Sequence, residues 1–203
     1  MYEIPSEKEL DSKEKIASAF SSVGQFILSF LETVVVALVI SIVLYIFIMT
    51  PHEVVGNSMH PTYKNGEYLM ANKVTYRFKS PQRGDVIIFK YSSTQDFIKR
   101  IIGLPGDTVM LKDGQLYIND QLLEESAYLD DSVYTNGGDF LKEGESKKVP
   151  EGEYFVCGDN RPHSSDSRTF GPIALDDIKG KAWIVYFPFP DFRIVHHQEY
   201  QFL

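Results

Sequence analysis

The longest apolar stretch of the chain lies near its amino terminus, between residues 26 and 50. Val34–Met49 is a run of 16 residues without a charged side chain, and Glu32 stands close to its start. A helix rises about 1.5 Å per residue, so roughly 20 residues cross the hydrocarbon core of a bilayer. A buried core helix would carry a polar stripe, and a cleaved secretory signal has a shorter apolar region. The pattern therefore predicts an uncleaved membrane anchor helix at 26–50.

Charged residues around this stretch predict the orientation of the anchor. Three lysines precede it: Lys8, Lys13 and Lys15. The first lysine after it is Lys64. By the positive-inside rule, the tail at residues 1–25 stays in the cytoplasm. We therefore expect a single-pass protein of the cell membrane that has the lipid bilayer as a partner, with residues 51–203 forming an extracytoplasmic domain.

From residue 51 onward, short apolar or alternating segments separated by turn residues replace the long run. Asp113-Gly114 stands between Thr108–Leu111 and Gln115–Ile118, a pattern typical of a β-hairpin. Further strands are predicted at four segments: Val74–Phe78, Val86–Phe89, Glu151–Cys157 and Ala182–Phe187. Because no alternating helices separate them, the domain is expected to be mainly β, with antiparallel or mixed sheets. The polar stretch 124–148 is expected to form a long loop or a β-rich extension.

Charge and composition narrow the classes of partner. A chain with a net charge of −8 is poorly suited to neutralise phosphates, so no nucleic acid partner is expected. The single cysteine, Cys157, rules out an internal disulfide and a cysteine-based zinc site. His52, His60 and His163 are scattered along the chain, and no glycine-rich phosphate-binding loop is present. We therefore expect neither a metal nor a cofactor.

Three polar segments of the β-rich part carry candidate chemistry. Ser58 lies in Gly56–Thr62, where glycine and proline prevent a regular helix or a central strand. On a strand, Lys99 would share a face with Ile101, an apolar neighbour that favours desolvation of the amine. A loop serine that solvates the backbone and a snorkelling surface lysine are the ordinary alternatives. The dense polar run Gly158–Arg168 directly follows an apolar segment and is expected to be a structured loop.

The same segments resemble a known family when they are taken together. Gly56–Thr62, Arg83–Phe89, Lys99–Asp107 and Gly158–Arg168 are similar to the four conserved boxes of the type I signal peptidases. They occur in the family's order and after an amino-terminal anchor. The resemblance implies a signal-peptidase-like fold and a membrane-bound Ser/Lys serine endopeptidase. It also implies the substrates, which are secreted preproteins with small residues at the cleavage site.

The resemblance also implies roles for single residues. Ser58 resembles the family's nucleophile, with its backbone N–H as an oxyanion donor, and Lys99 resembles the general base. Ser164 resembles the residue that hydrogen-bonds and orients the lysine. Part of the family has a serine at the position of Gly56, whose hydroxyl is a second oxyanion donor that this chain lacks. Two ion pairs resemble structural supports of the site: Arg100–Asp159 and Asp166–Arg168.

Catalysis by a lysine makes a demand on its surroundings. An unperturbed lysine has a pKa of about 10.4, so almost all of it is charged at pH 7. To act as a base near neutrality, Lys99 needs a pKa about 3 units lower. Burial beside Ile98, Ile101 and Ile102 and the positive charge of Arg100 are expected to lower it. Because a carboxylate would oppose this shift, we expect no Asp or Glu in contact with the amine.

Two other functions stay open at this point. A self-cleaving repressor of the SOS type uses Ser–Lys chemistry, but it needs a DNA-binding amino-terminal domain where this chain has an apolar run. A membrane-tethered β-rich binding module would leave Ser58 and Lys99 without a catalytic role. The nine positions from Met49 to Ser58 span about 30 Å at most. A nucleophile at Ser58 would therefore lie near the bilayer surface, where a signal peptide emerges.

Overall fold

One long helix, α1 (Glu7–Phe47), begins the part of the chain that the structure describes. The structure is a computed structural model that describes residues 7–130, 132–200 and 202. Within α1, the 26 residues Phe20–Tyr45 are long and apolar enough to cross a membrane. The helix therefore starts well before the predicted boundary at residue 26, and residues 1–6 of the predicted tail lie outside the described residues.

The helix ends three residues before the predicted boundary at Thr50, because the next residues form a strand. Strand β1 (Met49–Glu53) pairs antiparallel with β2 (Tyr68–Asn72). The backbone groups of Met49 and Thr50 thus take part in a sheet ladder, and apolar composition alone does not reveal that change.

Most of the regular structure after α1 is in two antiparallel sheets, and Ser167–Phe170 forms a short helix. The remaining strands are β3 (Val86–Lys90), β4 (Asp96–Gly103), β5 (Thr108–Lys112), β6 (Gln115–Ile118), β7 (Gln121–Leu122), β8 (Ser146–Lys148), β9 (Glu153–Cys157), β10 (Ile173–Ala174), β11 (Ile178–Phe187) and β12 (Arg193–Ile194). The larger sheet has the order β1-β2-β11-β3-β4-β9-β10, with β12 paired to β11. The smaller sheet has the order β7-β6-β5-β8. The prediction of a mainly β fold after one apolar helix is confirmed.

The hairpin β5–β6 forms where the sequence predicts it, and one predicted strand is wrong. Asp113 and Gly114 connect the two strands with φ angles of 52° and 72°, as a tight hairpin turn requires. Val74–Phe78 was expected to be a strand, but Thr75–Phe78 is a short helix, α2. The side chain of Asn72 accepts hydrogen bonds from the N–H groups of Val74 and Thr75 and so starts this helical turn.

Residues 124–148, called the extension below, are mostly irregular. Only Ser146–Lys148 joins a sheet, where it forms β8 beside β5, so the extension is less β-rich than expected. Between Glu124 and Glu145 the described residues contain no helix or strand. Leu141 is nevertheless fully buried in the core formed around the smaller sheet, so the extension is anchored to the domain.

The pairing of β3 with β4 places the middle of β4 inside the larger sheet. Lys99 lies opposite Ile87, between Ile98 and Arg100. Ile101 packs in one buried cluster with Ile87, whereas Ile98 packs against a different cluster. The predicted division of β4 into two faces, with Lys99 and Ile101 on the same face, is therefore confirmed.

Candidate active site

The amine of Lys99 meets the hydroxyl of Ser58. Nζ of Lys99 lies 2.9 Å from Oγ of Ser58 and 3.0 Å from the carbonyl oxygen of Ile98. Lys99 is only 3% exposed. A serine and a lysine that are 41 positions apart in the chain are thus brought into direct contact. An uncharged amine at this distance is able to take the proton of the hydroxyl.

Burial lowers the pKa of Lys99 to about 8, because the charged amine is removed from water. The carboxylates of Asp166 and Asp159 oppose this shift, and the guanidinium of Arg168 reinforces it. Asp159 and Asp166 are instead paired with Arg100 and Arg168, and no ion pair among the described residues includes Lys99. Arg100 was expected to be the assisting charge, but the basic residue among the largest contributions to this pKa is Arg168.

The loop that carries Ser58 is shaped by its glycine and by an amide side chain. Gly56 has a φ of +93°, which side-chain-bearing residues rarely adopt. Its N–H donates to Oδ1 of Asn65 at 2.7 Å. The residue after Ser58, Met59, is buried and fastens the loop to the core beneath the larger sheet. Because the N–H of Gly56 already has a partner, it does not replace the missing second oxyanion donor.

The polar run Gly158–Arg168, called the polar loop below, contacts the backbone carbonyl group of Ser58. The backbone N–H of Asn160 donates to the carbonyl oxygen of Ser58 at 3.0 Å. A Cβ atom on Gly158 would lie 2.4 Å from that same oxygen and 2.2 Å from Oγ of Ser164. Only glycine fits at this close approach, so the glycine that begins the loop is required by packing.

Two buried ion pairs hold the polar loop, as the resemblance implied. Arg100 donates to both carboxylate oxygens of Asp159, at 2.9 and 2.7 Å. Arg168 donates to both oxygens of Asp166, each at 2.8 Å. The pairs thus connect strand β4 to one end of the loop and brace the other end internally. All four side chains are buried, so these contacts are strong geometric constraints.

Ser164 does not make the contact that the resemblance implied. Its hydroxyl is buried and makes no hydrogen bond to Lys99; it lies instead near the carboxylate of Asp166, whose pKa it helps to lower. The expected bond from Ser164 to Lys99 is therefore absent. The hydroxyl packs over Gly158, on the side of Asp166.

A cleft of about 360 Å³ opens where Ser58 and Lys99 meet. Its apolar wall consists of Val54, Val55, Met59, Phe97 and Ile98. Its polar rim consists of Glu53, Asp96, His163 and Ser165. Among the described residues, no group of three or more His, Cys, Asp or Glu side chains is arranged to hold a metal ion. The cleft therefore suits an apolar peptide segment presented to a hydroxyl and an amine.

Two supporting residues of the polar loop, Asn160 and Arg161, were not predicted from the sequence. Asn160 binds the backbone of the nucleophile loop twice, at Ser58 and through its side chain at the carbonyl oxygen of Asn57, 3.0 Å away. Arg161 is 1% exposed and binds the carbonyl oxygen of Gly158 at 3.1 Å. Their position within the fourth box was the only signal in the sequence, because the partners of Asn160 lie about 100 positions away and the burial of Arg161 depends on the fold.

Comparison with known proteins finds one family. The family model described as signal peptidase, peptidase S26, matches residues 27–187. Signal peptidase IB of Staphylococcus aureus is 36% identical over 178 residues, which cover 82% of this chain and 93% of that protein. Signal peptidase I V of Bacillus subtilis is 42% identical over 152 residues, which cover 72% of this chain and 90% of that protein. A crystal structure of a signal peptidase I from Enterococcus faecalis is 36% identical, covers 51% of this chain and 97% of its own, and has a TM-score of 0.42.

Proposed function

The chain belongs to the signal peptidase S26 family of serine endopeptidases, and we propose that Ser58 is its nucleophile and Lys99 its general base. Membership of the family makes it a hydrolase that removes signal peptides from preproteins. One observation carries the assignment of the two residues. A buried lysine with a lowered pKa lies within hydrogen-bond distance of a serine hydroxyl in a cleft.

The reaction begins when neutral Lys99 removes the proton of the Ser58 hydroxyl as its oxygen attacks the scissile carbonyl. The bond between oxygen and carbon forms, and the backbone N–H of Ser58 stabilises the negative charge on the carbonyl oxygen. The protonated lysine then gives its proton to the leaving amine, which departs with the mature protein. Water, deprotonated by the same lysine, hydrolyses the remaining ester to the signal peptide and free Ser58.

The two buried ion pairs support this geometry without taking part in proton transfer. Arg100 and Asp159 join β4, which carries Lys99, to the polar loop that touches Ser58. Asp166 and Arg168 keep the same loop closed. Both pairs therefore fix the separation of the nucleophile and the base, on which proton transfer depends.

The substrates are secreted preproteins with small residues before the scissile bond. The apolar wall of the cleft includes Val54 and Met59, which are 4% and 1% exposed and so belong to the rigid core. Because these residues are tightly packed in the core, the wall cannot move to accommodate a bulky side chain of the substrate. This supports a preference for small residues such as alanine in the cleft.

The pH dependence of cleavage tests Lys99 as the base. Because only the neutral amine accepts a proton and its pKa is about 8, kcat/KM should fall about tenfold per unit below pH 8 and level off above it. We expect this profile for a preprotein with an Ala-x-Ala site, cleaved by the full chain in detergent. The same preprotein with Phe as the last of these residues is the control and should stay uncut. A profile that is flat, or that has its midpoint below about pH 6, would contradict the assignment.

Residues 20–45 anchor the chain in the cell membrane, with the amino terminus in the cytoplasm. The length and composition of this segment support the anchor, and the lysines before it support the orientation. A protease added outside intact protoplasts is expected to digest residues 51–203, while a cytoplasmic marker survives. Protection of that part of the chain until the membrane is permeabilised would reverse the orientation.

A further inference from the structure

Arg161 is a buried charge whose partners come mainly from the extension. Its guanidinium donates to both carboxylate oxygens of Glu125, with Nη1 2.8 Å from Oε2. Nη1 also donates to Oγ1 of Thr135 at 3.1 Å, and Nη2 lies 3.4 Å from the hydroxyl of Tyr128. The side chain of Arg161 has no exposed surface. Because a buried guanidinium is destabilising without an anionic partner, the extension keeps Arg161 in place.

Arg161 in turn holds the polar loop at the point where it touches the nucleophile. Its Nε donates to the carbonyl oxygen of Gly158 at 3.1 Å. Gly158 packs directly against the carbonyl oxygen of Ser58, and the N–H of Asn160 donates to that oxygen. If Arg161 moves, Gly158 moves with it. Because Gly158 is in close contact with the carbonyl oxygen of Ser58, the backbone of Ser58 is then displaced as well.

The extension also touches the residue next to the base. The ring of Tyr128 lies over the guanidinium of Arg100, with 4.1 Å between Cζ and the ring centroid. Its hydroxyl lies 2.7 Å from the hydroxyl of Tyr200, in the carboxy-terminal segment. Arg100 directly follows Lys99 in β4. The extension thus contacts one buried arginine beside the base and another behind the nucleophile.

We propose that Glu125 is a positioning residue of the peptidase, and that the extension is a brace that holds Ser58 against Lys99. Glu125 acts through Arg161 and the polar loop. This proposal rests on the proposed function, because it describes how the two catalytic residues are aligned. Misalignment of reacting groups slows the chemical step, whereas the apolar wall of the cleft, which includes Val54, Phe97 and Ile98, makes none of these contacts. The brace therefore governs kcat more than KM.

The test uses Glu125→Gln in the full chain, with Glu124→Gln as the matched control. Both variants lose one carboxylate, but among the described residues the hydrogen bonds of Glu124 are with its chain neighbours Glu125 and Ser126, and it makes none with Arg161. For Glu125→Gln we expect kcat for preprotein cleavage to fall about tenfold, with KM changed less than twofold. Glu124→Gln should keep both constants. Thr135→Val removes one hydrogen bond to Arg161 while keeping the shape of the side chain, and should lower kcat about threefold.

Each outcome of this test either supports or rejects the proposed brace. If both Glu125→Gln and Thr135→Val are folded at the assay temperature and keep kcat within twofold of wild type, the brace does not exist. If Glu125→Gln unfolds, Thr135→Val decides by itself, and an unchanged kcat rejects the proposal. Ser58→Ala is measured in the same series. Cleavage by that variant would overturn the proposed nucleophile, whatever Glu125→Gln does.

Discussion

Replacing Lys99 by methionine is expected to lower kcat for preprotein cleavage about 1000-fold, towards the background left by Ser58→Ala. The reason is that a positioned general base contributes about 100-fold to 10,000-fold to the rate, and the serine hydroxyl is a weak nucleophile without one. Methionine has nearly the length of lysine and fills the same buried space without an amine. The measurement is release of mature protein from a preprotein with an Ala-x-Ala site.

The stability of the same variant separates loss of chemistry from loss of structure. Since the folded-state pKa of Lys99 is lowered to about 8, the charged amine costs folding free energy below that pH. Lys99→Met should therefore be more stable than wild type at pH 7, by up to about 3 kcal/mol, and this difference should shrink as the pH rises through 8 towards 10.5. A variant that is folded and keeps more than a tenth of the activity would remove Lys99 from the mechanism.

Replacing Asp166 by asparagine is expected to destabilise the domain by about 3–5 kcal/mol, because it leaves the charge of Arg168 buried without a counter-charge. The carboxylate accepts two hydrogen bonds from the guanidinium of Arg168, one from the backbone N–H of Arg168 at 3.2 Å and one from the N–H of Gly158 at 2.9 Å. Asparagine replaces one of its oxygens by a donor, which then faces other donors. The free energy of unfolding, measured by urea titration of the full chain in detergent, checks this expectation.

The pH range of the effect follows from the pKa of Asp166. Burial raises this pKa, but Arg168 and the N–H of Gly158 outweigh burial and hold it below its ordinary value. A lowered pKa stabilises the folded state above the unfolded value near 3.8, and this contribution is lost as the pH falls through the folded value. The difference between wild type and Asp166→Asn should therefore be constant near neutrality and shrink only in acid.

A matched control for this prediction is Asp191→Asn. Asp191 pairs with Lys64 at 3.0 Å, but the two side chains are 30% and 58% exposed. Exposed ion pairs contribute at most about 1 kcal/mol, so this variant should change the unfolding free energy by less than that. An equal loss in both variants would mean that burial of the Asp166–Arg168 pair has no special effect.

Much of the fold was predictable from local patterns. The uncharged run predicted a long helix, and Asp113-Gly114 between two apolar segments predicted the hairpin β5–β6. These predictions succeed because a turn and an apolar helix depend on neighbouring residues. Val74–Phe78 was misread because the side chain of Asn72 favours a helical turn over the alternation that follows it. The boundary at Thr50 was misplaced because the strand partner of β1 lies about 20 residues further along the chain.

Some features of the candidate site were likewise predictable from local sequence, and others were not. Its residue types and the order of its four segments are local information. They made Ser58 and Lys99 candidates, and the family resemblance that they carry implied both ion pairs. The charge that assists Lys99, the direction of the Ser164 hydroxyl and the support from Glu125 were not, because each depends on distances between segments far apart in the chain.

The sequence by itself determined which side chains were present and predicted the long apolar helix, the hairpin β5–β6 and the mainly β class of the rest. The tertiary structure alone decided that the amine of Lys99 is buried, that it lies 2.9 Å from the hydroxyl of Ser58 and that its pKa is about 8. The physical reason is that desolvation and charge interactions depend on burial and on distance through space. Both are set only when β4, the loop Gly56–Thr62 and the polar loop pack together.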